Sequence, residues 1–184
     1  QGFGTGVGVW LEDTYIRRYP YDSLACNVIG YTVSGNVGQY GIEQQYSDTL
    51  NGEDGRTYNY LNEDLEQEKN VRAAVDGDSV MSTIDVTLQE IVEKAIDDFQ
   101  EKYTNNFREG EAGSKTAAAI MMDPNTGEVL AMASNRRYDL NNPYDVVANG
   151  LYSEEDAANL SEEDRLNALN ELWRNFCVSD TYEP

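Results

Sequence analysis

The chain has 184 residues, of which 40% are hydrophobic, and this is enough for a modest core in one or two small domains. Its 13 basic and 34 acidic residues give a formal net charge of −21, which repels a phosphate backbone, so we predict no nucleic-acid partner. The absence of histidine excludes Ser-His-Asp triads and Cys-His pairs and removes the commonest zinc ligand.

The first third of the chain predicts short elements separated by glycine. Residues 1–10 alternate glycine with apolar residues and predict a strand, and they do not match the Gly-x-Gly-x-x-Gly pattern of a dinucleotide site. Residues 17–31 predict an extended start and then about two helical turns that stop at Gly30. A loop at 34–41 and a short helix at 42–50 follow.

The next segment predicts strands. Residues 56–61 alternate in the manner of a strand, and 71–75 and 79–83 flank Asp-Gly-Asp at 76–78, which predicts a second hairpin. No glutamate stands at the twelfth position of a calcium-binding loop that starts there, so we predict no metal site.

The clearest helix covers about 86–103. Asp85 is placed to cap its first turn, and acidic residues including Glu90 and Glu93 are predicted to face solvent. Its apolar face is predicted to pack on the hairpin that follows. The apolar positions are Leu88, Ile91, Val92, Ala95, Ile96, Phe99 and Tyr103.

Residues 117–134 predict a tight hairpin. Two runs rich in small apolar residues flank a turn between Asp123 and Glu128, in which Pro124 fixes φ and Gly127 allows a positive φ. A helix can sit close to such strands.

The last part predicts helices that begin at Ser153 and Ser161, because each serine is followed by acidic residues in the first turn. The second helix is predicted over 164–177 with an apolar face that needs a partner. The sequence leaves three options open for this face: exposure, packing on the hairpin, or self-association. The apolar positions are Leu166, Leu169, Leu172, Trp173 and Phe176.

Cys26 and Cys177 show no Cys-x-x-Cys spacing, so no redox or metal motif and no cofactor is predicted. We interpret both as small buried residues, and a disulfide between them stays open. Together the elements predict an α+β fold of short antiparallel hairpins and about three amphipathic helices.

Several segments resemble class B penicillin-binding proteins, in the family's order. Residues 122–134 are similar to the hairpin that opens the transpeptidase domain. The other similar segments are Arg18-Tyr19-Pro20, Ser23-Leu24-Ala25, Ile29-Gly30, Gly41-Ile42-Glu43, Thr83-Ile84-Asp85, Leu88-Gln89, and Asn175 with Tyr182-Glu183-Pro184. The resemblance implies a non-catalytic N-terminal module at 1–80 and an incomplete transpeptidase domain at 81–184.

The resemblance also implies scaffold roles for single residues. Arg17 or Arg18 is expected to pair with Glu43 and hold the N-terminal module together. Asp85, Asp123 and Gly127 are expected to be structural, as helix cap and hairpin turn.

In the family a Gly-Ser-x-x-Lys motif follows Tyr-Glu-Pro, and Ser-x-Asn and Lys-Thr-Gly come later. No serine in this sequence has a lysine three residues further on. Three near matches fail: 125–127 lies in the hairpin turn, 115–117 lacks the glycine, and 179–181 lacks the final asparagine. We therefore predict no catalytic residue in this chain and no activity.

The intact protein is expected to cross-link peptidoglycan by serine acyl transfer and to be a β-lactam target. The resemblance implies an anchor before Gln1 at the extracytoplasmic face of a bacterial membrane, and partners among peptidoglycan and cell-wall or division proteins. No apolar run here approaches the roughly twenty residues of a membrane helix, so the chain itself is expected to be soluble. The alternatives are a non-catalytic extracytoplasmic interaction module and an unrelated acidic extracellular domain.

Overall fold

The computed structural model describes residues 16–61, 67–106, 109–110 and 113–181. The strand predicted at 1–10 and the Tyr-Glu-Pro run at 182–184 lie outside these residues. The helices are α1 (Cys26–Ile29), α2 (Gly41–Gln45), α3 (Ser47–Leu50), α4 (Val86–Lys102), α5 (Glu154–Ala158), α6 (Glu162–Trp173) and α7 (Phe176–Ser179). The strands are β1 (Tyr31–Val33), β2 (Val37–Gln39), β3 (Arg56–Leu61), β4 (Gln67–Arg72), β5 (Ala118–Met122) and β6 (Val129–Ser134).

Each described strand pairs antiparallel with its neighbour in sequence, in the three hairpins β1–β2, β3–β4 and β5–β6. The register pairs Tyr31 with Gln39, Arg56 with Arg72, and Ala118 with Ser134. The predicted α+β class, with short antiparallel hairpins and amphipathic helices, is confirmed.

The N-terminal part differs from the prediction in two places. The helix that ends at Gly30 has one turn instead of two, because residues 20–25 form turns. The predicted loop at 34–41 contains strand β2, which a turn with positive φ at Gly35 and Asn36 folds back onto β1. Gly30 has a φ of 76°, and a Cβ there would lie 2.1 Å from the carbonyl oxygen of Tyr40. A glycine is therefore required where the chain passes this backbone.

The strand at 56–61 is confirmed, but the hairpin predicted around 76–78 is wrong. Strand β3 pairs with β4, and the following residues form only an isolated bridge between Val75 and Glu53. Gly77 does not make a hairpin turn, since it lies against the backbone of α3, where a Cβ would be 2.1 Å from the carbonyl oxygen of Leu50.

Helix α4 and the hairpin β5–β6 agree with the prediction. The Asp85 side chain accepts a hydrogen bond from the Leu88 N–H at 2.9 Å, as an N-cap does. A register shift between Met121 and Met122 interrupts the regular pairing of β5 with β6 near the turn. The helix packs on β6 through a small cluster of Val92, Ile96, Ala131 and Ala133.

Ser153 and Ser161 cap α5 and α6 as predicted, each through a hydrogen bond to the N–H three residues later. The predicted helix at 164–177 begins with α6 and is interrupted after Trp173, where Arg174 is extended and Asn175 caps α7. Leu166 is half exposed.

The largest hydrophobic cluster contains residues from the first forty positions together with residues of α6. It therefore identifies the surface on which α6 packs. Its buried members are Cys26, Tyr31, Tyr138, Leu140, Val146, Ala157, Leu169, Leu172 and Trp173. The Tyr31 ring packs against both Tyr138 and Trp173, with ring centroids 6.0 and 5.3 Å away. The apolar face of α6 thus packs on residues from the first forty positions. None of the helices in the described ranges has the length and apolar character needed to cross a bilayer.

Candidate functional site

The structure places Arg17 beside Glu43, at the start of the N-terminal part. Glu43 lies in α2 and is 6% exposed. Arg17 Nε is 3.0 Å from Glu43 Oε1 without the alignment of a hydrogen bond, whereas Nη2 donates to Oε2 at 3.3 Å. The Tyr19 hydroxyl donates to Oε1 at 3.2 Å. The Arg17 guanidinium and the Tyr19 hydroxyl compensate the Glu43 carboxylate for the hydration lost on burial. They also attach the extended segment that carries them to α2.

Burial and the Glu43 charge together raise the pKa of Tyr19 to about 12, so this tyrosine stays a donor at neutral pH. Arg18 is exposed and makes no ion pair with another described residue. The sequence left open whether Arg17 or Arg18 pairs with Glu43. In the structure Arg17 is the arginine that lies within contact distance of the Glu43 carboxylate.

The turn of the third hairpin is ordered by Asp123 and Gly127. The Asp123 carboxylate accepts hydrogen bonds from the N–H and the side-chain amide of Asn125, at 2.7 and 3.2 Å. The Asn125 N–H holds the pKa of Asp123 below its ordinary value. Gly127 has a φ of 79° and returns its N–H to the Asp123 carbonyl at 2.9 Å. These contacts are those of a hydrogen-bonded turn, and they give Asp123 and Gly127 a structural role.

The two cysteines are free thiols and not a disulfide. Cys26 is buried, and burial raises its pKa to about 12; burial also raises the pKa of the half-buried Cys177. Both are therefore protonated at neutral pH and poor nucleophiles. Within the described ranges, no three Cys, Asp or Glu side chains lie close enough together to hold a metal ion.

A polar network at the centre of α4 was missed by sequence reasoning, which placed Glu93 toward solvent. Glu93 is 5% exposed and pairs with Arg137 at 2.9 Å. Gln89, one turn earlier, is fully buried and both donates to and accepts from the Met132 backbone at 2.9 Å. Its amide also donates to Glu93 at 2.8 Å. The sequence signal is a Gln–Glu pair at i, i+4 beside the apolar face, which is ambiguous on its own.

An apolar groove lies between α4 and the outer side of β5. Its volume is about 920 Å³, and its lining includes Ile91, Ala95, Phe99, Ala118, Ile120 and Phe176. Ile91 and Phe99 are 56% and 41% exposed although they lie on the apolar side of an amphipathic helix. Strand β5 pairs only with β6 in the part of the chain that the structure describes. The helix and the sheet therefore present an open edge.

Two protein families match this chain. The penicillin-binding protein dimerisation domain matches residues 5–82, and the penicillin-binding protein transpeptidase domain matches 117–184. Helix α4 lies between the two matches. The class of protein is therefore a penicillin-binding protein, with a dimerisation domain followed by a transpeptidase domain.

Individual relatives agree with the two matches. Stage V sporulation protein D of Bacillus subtilis is 29% identical over 136 residues, which is 72% of this chain and 20% of that protein. Peptidoglycan D,D-transpeptidase FtsI of Buchnera aphidicola is 28% identical over 179 residues, 96% of this chain and 26% of that protein. The crystal structure of penicillin-binding protein 3 from Mycobacterium tuberculosis with aztreonam superposes with a TM-score of 0.55 at 28% identity, covering 73% of this chain and 25% of that one.

The chain belongs to the class B penicillin-binding proteins, and it matches their dimerisation domain over 5–82 and their transpeptidase domain over 117–184. It spans about a fifth to a quarter of the length of these relatives.

Proposed function

We propose that the chain is the N-terminal part of a peptidoglycan D,D-transpeptidase, with a non-catalytic module at 1–80 and the opening of the catalytic domain at 81–184. The positions and order of the two family matches support this division. The boundary falls in residues 73–83, which are largely exposed and contain no helix and a single bridge.

The complete protein would cross-link peptidoglycan in two acyl-transfer steps. A serine hydroxyl attacks the carbonyl carbon between the two D-Ala residues of a stem peptide, and the terminal D-Ala leaves with the proton. An amine of a second stem peptide then attacks the acyl-enzyme, which forms the cross-link and returns the serine hydroxyl. The support is the family membership and the relatives that carry the name peptidoglycan D,D-transpeptidase. β-Lactams would acylate the same serine as donor mimics.

The 184-residue chain alone should be inactive. The observation that carries this conclusion is that its sequence contains no serine followed by lysine three residues later. The open edge of β5 and the groove beside it support an incomplete catalytic domain, because a two-stranded sheet with a large exposed apolar face is only marginally stable by itself.

The family membership supports a place for the complete protein at the extracytoplasmic face of the membrane, held by an N-terminal anchor. Its partners would be peptidoglycan and proteins of cell-wall synthesis or division, and the exposed groove offers a surface for self-association. The net charge of −21 argues against nucleic acid.

The test compares labelling by a fluorescent penicillin of this chain and of the product expressed from the gene region that continues past the Pro184 codon. We expect no covalent label on the 184-residue chain and one labelled serine, within a Ser-x-x-Lys motif, on the longer product. Labelling of the short chain would contradict the claim that it lacks the machinery. A stop codon at this point, or a longer product without label, would favour the non-catalytic interaction module, for which the groove is the docking surface.

A further inference from the structure

The residues Ala25–Asn27 form a buried tripeptide, which we call the tongue. All three are at least nine-tenths buried. The tongue belongs to the part matched by the dimerisation domain, yet three of its backbone groups, the Ala25 N–H and the carbonyls of Cys26 and Asn27, bind side chains beyond position 85. This contact is unusual because a buried backbone group normally finds its partner in its own helix or strand.

On one side the tongue is bound by α4. The Ala25 N–H donates to Glu93 Oε1 at 2.9 Å. Ala25 has a φ of 53°, a left-handed conformation that a residue with a Cβ adopts only when its surroundings hold it there. The Glu93 carboxylate is fixed in turn by Gln89 and Arg137. The conformation of the tongue therefore depends on the position of this carboxylate.

On the other side the tongue is bound by the segment that contains α7. The Asn175 side-chain amide donates to the Asn27 carbonyl at 3.2 Å, while its oxygen caps α7 by accepting from the Cys177 N–H at 3.1 Å. In between, the Tyr138 hydroxyl donates to the Cys26 carbonyl at 3.1 Å. A single Asn175 side chain thus joins the tongue to the first turn of α7.

The tongue is short and stiff. The N–H groups of Val28 and Ile29 both donate to the Ala25 carbonyl at 2.9 Å, and Gly30 donates to Cys26 at 3.0 Å. Because one helical turn closes over the tongue, a movement at Ala25 also moves the Asn27 carbonyl. No hydrogen bond or ion pair joins Glu93 directly to α7 among the described residues.

We propose that the tongue couples α4 to α7, so that the order of α7 depends on Glu93 through the Ala25–Asn27 backbone and Asn175. The dependence is reciprocal, since a coupling free energy acts equally in both directions. The coupling is a property of this chain and does not rest on the reaction proposed above. Within a complete transpeptidase, it would link the N-terminal module to the segment that leads to the family's serine motif.

The first test replaces Glu93 by alanine and measures amide hydrogen exchange. We expect at least about tenfold faster exchange at Val28 and Ile29 and also at Val178 and Ser179, whose N–H groups bond to the Asn175 carbonyl. The control is Glu90→Ala, which removes the same charge from an exposed position on the same helix, and amides of α6 report global opening. Faster exchange in α1 with α7 unchanged would overturn the coupling.

The second test perturbs Asn175 instead of Glu93 and measures exchange in α1. It tests the same coupling if Glu93→Ala does not fold. Asn175→Asp keeps an N-cap oxygen for the Cys177 N–H but loses the donor to the Asn27 carbonyl. We expect at least about tenfold faster exchange at Val28 and Ile29 relative to α6. Asn175→Ala loses both hydrogen bonds. Its amide exchange should therefore be as fast as that of Asn175→Asp in α1 and faster than that of Asn175→Asp in α7. Unchanged exchange of the α1 amides in Asn175→Asp would overturn the proposal.

Discussion

Replacing Glu43 by alanine should destabilise the chain clearly. The carboxylate is 6% exposed and is held by Arg17 and the Tyr19 hydroxyl, so its removal leaves two partly buried donors without an acceptor. Breaking a fully buried pair costs about 3–5 kcal/mol. The Arg17 side chain is 34% exposed and regains some hydration, which lowers the expected loss to about 2–3 kcal/mol.

This loss converts into a measurable shift of the melting temperature. At roughly 2–4 °C per kcal/mol for a chain of this size, Glu43→Ala should melt about 5–10 °C below the wild type. The assay is thermal unfolding followed by far-UV circular dichroism, with urea unfolding to obtain the free energy. The two variants to compare are Arg17→Ala and Arg18→Ala, which remove the same charge from neighbouring positions.

Arg17→Ala should destabilise by a similar amount to Glu43→Ala, whereas Arg18→Ala should stay within about 0.5 kcal/mol of the wild type. The double variant Arg17→Ala/Glu43→Ala should cost less than the sum of the two single changes, because the pair is lost only once. A Glu43→Ala melt that coincides with the wild type, or equal effects at both arginines, would refute the pairing argument.

Two further predictions concern glycine substitutions and pH. Gly127→Ala should lower the free energy of unfolding in urea by about 1 kcal/mol, because φ is positive but no atom lies within 4 Å of the new Cβ. Gly30→Ala should lower it clearly more, because the new Cβ meets the Tyr40 carbonyl, and equal losses would contradict the steric argument. Stability should fall between about pH 9 and pH 12, because the folded-state pKa values of Cys26 and Tyr19 are raised from 9.0 and 10.0 to about 12, so the unfolded chain loses these protons first. Melting temperatures at successive pH values measure this fall, Tyr19→Phe should reduce its slope, and a flat profile up to pH 11 would contradict the burial of both groups.

The elements that sequence could predict are those with local signals. Helix α4 has an apolar face at helical spacing and a capping aspartate, and the third hairpin has a Pro and a Gly at turn positions. The serine caps at 153 and 161 could be predicted equally well, because each capping hydrogen bond spans only three residues. Each of these predictions depends on residues that are close together in the chain.

The contacts that sequence could not predict join distant residues. Glu93 was assigned to solvent because a lone glutamate on a helix normally lies there, and its burial depends on Arg137 and on the Ala25 N–H, 68 positions earlier. The surface on which α6 packs could not be predicted either, since Tyr31 lies far from Trp173 in the sequence. Strand β2 was missed because three residues are too few to show alternation.

The buried amide of Gln89 has a consequence for how the chain behaves in solution. By binding both backbone groups of Met132, it occupies the place that a neighbouring strand would take on the outer edge of β6. The sheet is therefore closed to further pairing on that side and can grow only from β5. Two copies of the isolated chain should accordingly pair edge to edge through β5 and stop at a dimer, and a lysine or proline at Ile120 is the change to make before the chain is concentrated.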